Sequence, residues 1–129
     1  GIMRAIKAVD KNLIVLAPVL SALVRKGQKA GLRVAAEVFA DRAYMPDGQL
    51  VPRGRPDAMI HDAQDSLEHC LRMFEEGVII DVEGGRMEVE AVSVCVHGDG
   101  PSALQTAAHI KQGLTKAGFQ MCSLPEMLA

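Results

Sequence analysis

Short unbroken apolar runs alternate along this chain with segments whose apolar residues recur every three to four positions. Residues 13–17 (LIVLA) form the first run, the signature of a strand covered on both faces. Pro18 suits a helix start, and Leu20, Leu23, Val24 and Gly27 follow at helical spacing as far as Gly31. Residues 32–39 read as the second strand and open into a long proline-rich loop. Asp62 is a candidate N-cap, behind which Leu67, Cys70, Leu71 and Phe74 mark the buried face of a helix that Gly77 stops. That phase leaves His69 on the polar, solvated side. Residues 78–82 and 86–90, joined through Glu83-Gly84-Gly85, read as a β-hairpin. Residues 92–96 form a third buried strand, which ends at His97-Gly98-Asp99-Gly100. Pro101 then opens a helix running to Gly118, with Leu104, Ala107, Ala108, Leu114 and Ala117 facing inward. Residues 119–129 carry no clear period and read as an irregular tail.

Strand and helix alternate, which predicts a single α/β domain over 1–129 with a mostly parallel sheet flanked by helices. Residues 3–9 read like the last turns of a helix without a visible cap. Three strands in parallel-type positions plus a hairpin leave a bare sheet edge, and such edges are covered, paired or charged. The expectation is an incomplete domain, part of something longer, or one that closes its edge by forming a homo-oligomer.

Composition narrows the function. The 129 residues are 49% apolar with a net charge of −2 and 3% aromatics, so neither a basic field nor a base-stacking surface points to nucleic acid. No apolar stretch is long enough to span a bilayer and no signal-peptide pattern opens the chain. Three cysteines, Cys70, Cys95 and Cys122, stand far apart with no CxxC pair, which fits buried or free thiols in a reducing cytoplasm rather than zinc or a disulfide framework.

The candidate chemistry lies at two loops that follow strands, where parallel α/β proteins gather their ligands. One is "EVFADRAYMPDGQLVPRGRP", residues 37–56, stiffened by Pro46, Pro52 and Pro56. Alternation puts Glu37 near the carboxyl end of a buried strand, where a carboxylate needs a partner or takes up a proton. Arg42 is the nearest partner in sequence, so Glu37 is either one half of a clamp on the loop or a carboxylate held for acid–base work. Arg53 and Arg55 suit capture of a carboxylate or phosphate, and equally suit a solvated lid. The second loop is "HGDGP". His97 is the best-placed of the four histidines, with Asp99 two residues on to fix its tautomer, and Pro101 opens a helix whose first amides attract anions. His61 is a weaker candidate, and His109 reads as solvated. These residues give an anion-friendly site at Glu37, Asp41, Arg42 and His97 without choosing a reaction, and no metal-ligand spacing stands out.

"EVFADRAYMPDGQLVPRGRPDAMIHD" and "VCVHGDGPSAL" together resemble the carboxyl-terminal half of the LamB/YcsF family of lactam-utilisation proteins. The resemblance runs from before Leu13 to about Gly118. It implies the carboxyl-terminal part of a distorted seven-stranded (β/α) barrel, similar to the glycoside hydrolase/deacetylase fold. It also implies ATP-dependent opening of 5-oxoproline to L-glutamate, with ATP and magnesium required and 5-oxoprolinase subunits B and C as partners. On that reading His97, Asp99 and Glu37 suit proton transfer or positioning. Asp41, Arg42, Tyr44, Arg53 and Arg55 suit the substrate carboxylate or phosphate; whether a metal is held is left open. The family's "N-x-D-x-G-E"-type and "G-F-H-A-G-D" stretches are absent here, so this chain alone is expected to be inactive. Two other classes compete: a non-catalytic scaffold that docks partners by its sheet edge or proline-rich loop, and a metal-dependent carbohydrate deacetylase.

Overall fold

The structure, a computed structural model, describes residues 1–129 and is mixed α/β. Strands β1 (Ile14–Pro18), β2 (Arg33–Phe39) and β5 (Ser93–Cys95) form a parallel sheet in that order. Strands β3 (Val78–Ile80) and β4 (Arg86–Glu88) form a separate antiparallel pair, with Ile79 opposite Met87. Five helices accompany them: α1 (Ile2–Val9), α2 (Ala22–Lys29), α3 (Ala63–Leu71), α4 (Ala103–Lys116) and α5 (Leu124–Met127).

Most element boundaries follow from local chemistry. Ser21 caps α2 by accepting the Val24 N–H, while Pro18 turns out to be the last residue of β1 rather than a helix start. Asp62 caps α3 as its position predicted, accepting from the Gln64 and Asp65 amides. Helix α3 then widens into a π-helical turn, Arg72–Glu76, which Gly77 ends in the left-handed conformation (φ 65°). The hairpin is shorter than the apolar runs suggested, because Asp81 folds back on its own turn and takes the Glu83 and Gly85 amides.

In this sheet Pro18, Glu37 and Ser93 share one face, and Ala17, Ala36 and Val38 share the other. The second face, with Val38 and Ala40, packs against Leu67, Cys70, Met73, Ile110 and Leu114 of the α3–α4 layer. Helix α4 buries Thr106, Ile110 and Leu114, a stripe at every fourth residue. Leu104, Ala107, Ala108 and Ala117, expected inward, are exposed, Leu104 at 86%. Leu104 lies off the stripe, and alanine carries too little apolar area to fix a helix's rotation. Gly113 keeps the two helices close, since a Cβ there would run into the side chain of Leu67. The tail, read as irregular, contains one turn of helix, α5, with a Ser123–Glu126 capping box.

Candidate active site

The loop over 40–61 folds as a small core of its own. Ala40, Asp41, Arg42, Tyr44, Val51 and Ala58 are all buried. Two isolated antiparallel bridges, Arg42 with Met59 and Tyr44 with Leu50, fold the loop back on itself. The Ala43 amide donates to Ala58 O, and the Ile60 amide donates to Asp41 O, both at 2.9 Å. Tyr44 is 2% exposed, and its hydroxyl accepts the Phe39 N–H at 3.0 Å, satisfying the end of β2. Burial pushes that phenol up to about 12. Tyr44 is therefore a structural anchor, not the substrate contact that the sequence suggested.

Arg42 is also held inside the loop. Its Nη2 donates to Val51 O at 2.7 Å, so the Glu37–Arg42 clamp does not form, and its Nε is buried without a partner. Arg55 makes a two-pronged contact with Asp57, Nε to Oδ1 at 2.9 Å and Nη2 to Oδ2 at 2.6 Å, on the loop's outer surface. Neither guanidinium lines the cleft that the strand ends form.

That cleft, about 330 Å³, lies where β2 and β5 end and α4 begins. Asp41, Arg53, His61, His97 and Asp99 reach it, together with Gly100 to Ala103 and Thr106. Asp41 follows β2 by two residues, His97 follows β5 by two, and the strands are neighbours, so the two side chains meet. Asp41 Oδ1 is 2.7 Å from His97 Nδ1, and Oδ2 accepts the His97 backbone N–H at 2.9 Å. The imidazole stacks on Phe39 with ring centroids 5.7 Å apart and planes 14° from parallel. With Nδ1–H donated to a carboxylate, Nε2 carries the lone pair.

Asp99, expected to fix that tautomer, instead accepts from Arg53 Nη1 at 3.0 Å across the cleft mouth. Its carboxylate is engaged by that guanidinium, and the ring nitrogen Nδ1 is engaged by Asp41. The hydrogen bond from Arg53 holds the Asp99 carboxyl below the ordinary range. Glu37 lies on the face of the sheet that carries Ser93, near Cys95, and does not line the cleft. Burial raises its carboxyl above the usual value, and the nearby His97 partly offsets that. Burial likewise raises the Cys95 thiol, which suits an inert side chain.

His69 is buried, not solvated: 7% exposed, with Nε2 unpartnered and its ring 6.0 Å from Tyr44. The cleft residues that sequence reasoning missed are Ser102 and Thr106, small hydroxyls at the start of α4 with no motif to mark them. No three His, Cys, Asp or Glu side chains converge to hold a metal ion. No helix is long and apolar enough to cross a membrane.

The model of the LamB/YcsF family matches residues 1–129. The chain belongs to the LamB/YcsF family. Among curated LamB/YcsF-like relatives, it is 47% identical over 126 residues to the 5-oxoprolinase A subunit of Azoarcus sp. (strain BH72), covering 98% of this chain and 49% of that protein. It is 39% identical over 128 residues to the 5-oxoprolinase A subunit of Pyrococcus abyssi (strain GE5 / Orsay), covering 99% of this chain and 50% of the relative. The chain thus spans about half the length of the curated relatives it matches. The crystal structure of the lactam utilization protein from Thermus thermophilus superposes with a TM-score of 0.80 at 36% identity. That match covers 91% of this chain and 46% of the solved one.

Proposed function

We propose that this chain supplies part of the active site of an ATP-dependent 5-oxoprolinase, acting as its A subunit beside subunits B and C. Its sheet would then be the carboxyl-terminal part of a larger, distorted (β/α) barrel. The names of its relatives favour the substrate. The observation that carries a hydrolytic role is the Asp41–His97 pair, with Nε2 free at the end of a parallel sheet.

Opening a lactam requires a nucleophile at the ring carbonyl and a proton at the ring nitrogen. His97 Nε2 takes a proton from water as the water oxygen bonds to the carbonyl carbon. Asp41 stabilises the resulting imidazolium and holds the ring in one tautomer. Phe39 fixes the plane of the imidazole. The substrate carboxylate lies against Arg53 and the first amides of α4, where a guanidinium and a helix N-terminus both favour an anion. Arg53 gives up Asp99 to do so, an exchange of one exposed carboxylate for another.

ATP, when bound, supplies the driving force and activation of an otherwise resonance-stabilised amide. Arg53, Ser102, Thr106 and the α4 N-terminus suit a single anion, here the substrate carboxylate, and none of them is assigned to an ATP phosphate. Magnesium lacks a complete ligand set among these residues, and no step here passes through it. The same donor set offers no triad for a metal-dependent deacetylase.

The test uses the full-length protein co-expressed with its partner subunits, measuring conversion of 5-oxoproline to glutamate against loss of ATP. Turnover that disappears in His97→Ala supports the proposal. A folded, assembled complex without turnover overturns it and favours the scaffold reading.

A further inference from the structure

Resting on that reaction, we infer that His61 is a second catalytic histidine of the cleft, delivering a proton to the leaving ring nitrogen. The four histidines of the chain have four different surroundings. His97 is bound to Asp41. His69 is 7% exposed, packs beside Tyr44 and does not line the cleft. His109 Nε2 is engaged by Gln64 Oε1 at 2.8 Å. His61 alone is exposed, lines the cleft, and has no protein group hydrogen-bonded to its ring.

Its position is fixed although its ring is free. The preceding residue, Ile60, donates its amide to the carbonyl of Asp41 at 2.9 Å, tying this segment to the residue that orients His97. The following residue, Asp62, is locked as the N-cap of α3 by two amides. A backbone pinned on both sides sets His61 on the wall of a cavity of about 330 Å³ that His97 also lines, a volume that brings one small ligand within reach of both residues. An exposed ring also exchanges protons with solvent between turnovers.

The chemistry calls for such a group. However the carbonyl is activated, the C–N electron pair ends on nitrogen, and an amine leaves only when that nitrogen gains a proton. His97 receives its proton from water on the attacking side. A donor on another wall protonates nitrogen as the C–N bond breaks, so His97 gains one proton and His61 loses one. Solvent exchange restores both rings.

The experiment compares the assembled wild-type complex with His61→Gln and His97→Gln on 5-oxoproline and on its lactone analogue, in which oxygen replaces the ring N–H. An alkoxide leaves with far less need of a proton than an amide nitrogen. His61→Gln is therefore expected to lose about 100-fold in kcat on the lactam and only a few-fold on the lactone. His97→Gln is expected to lose heavily on both. Equal losses of His61→Gln on the two rings, or none on either, would overturn the assignment. A His61→Asn complex distinguishes lost proton donation from lost packing, since it is expected to show the same lactam-selective defect.

Imidazole resonances of the full-length protein titrated with 5-oxoproline give a readout independent of turnover. Ligand-induced shifts at both His61 and His97 are expected. A shift at His97 alone would exclude His61 from the cleft contacts. Loss of turnover in every complex with both shifts intact would remove the 5-oxoprolinase reading and keep the two-histidine binding site.

Discussion

Asp41 holds His97 by two bonds at once, one to the ring and one to the backbone of the same residue, across 56 positions of sequence. The bidentate grip fixes the loop after β5 and the ring orientation together, so the proposed site of proton transfer would be built from the same contact that joins two strand ends. Asp41→Asn keeps the shape and removes the charge. A loss of about 100-fold or more in kcat is expected with a small change in Tm; thermal melts beside single-turnover kinetics check both.

Tyr44 makes the opposite case. Its hydroxyl satisfies the Phe39 amide inside the loop core. Tyr44→Phe leaves that amide without its partner and is expected to cost about 1–2 kcal/mol of stability, read by urea unfolding of the full-length protein. Activity per folded molecule is expected to hold.

The two arginines that flank Gly54 separate in the same way. Arg53→Ala is expected to raise KM for 5-oxoproline about tenfold, the loss of one charge-assisted contact. Arg55→Ala, whose guanidinium is spent on Asp57 at the surface, is expected to leave KM unchanged. Steady-state kinetics of the pair decide it.

Acid sensitivity follows from His69. Burial, with Arg72 adding repulsion, lowers this imidazole from 6.5 to about 4. Between those values the unfolded chain binds the proton and the folded chain does not, so stability is full above about pH 6.5 and falls toward pH 4. The shift corresponds to roughly 3 kcal/mol at most. Unfolding free energies at pH 7, 5.5 and 4 are expected to decline in wild type and to decline less in His69→Phe.

The order of strands and helices was legible because it is written in local periods: the apolar runs of β1, β2 and β5, the Asp62 cap and the Gly77 stop. The two loops that build the cleft were also legible, by their place after strands. The pairing inside them was not. Asp41, read as a substrate contact, is the partner of His97 because β2 and β5 are neighbours, and strand adjacency leaves no mark on local sequence. Proximity in sequence misled for Asp99 and for Glu37 with Arg42, where two to five residues of separation stood in for contact. Tyr44 and His69 were misplaced for a related reason: each has a polar atom, and only the tertiary packing shows where that atom is satisfied or buried.

The loop that carries the site has an interior of its own, and this changes how damage to it would look. A segment packed around its own core has little slack to absorb a substitution. Changes at Ala40, Val51 or Ala58, none of which lines the cleft, would move Asp41 and His61 together. Such variants would lose abundance before they lose chemistry, and a screen that scores only turnover would mistake them for catalytic lesions.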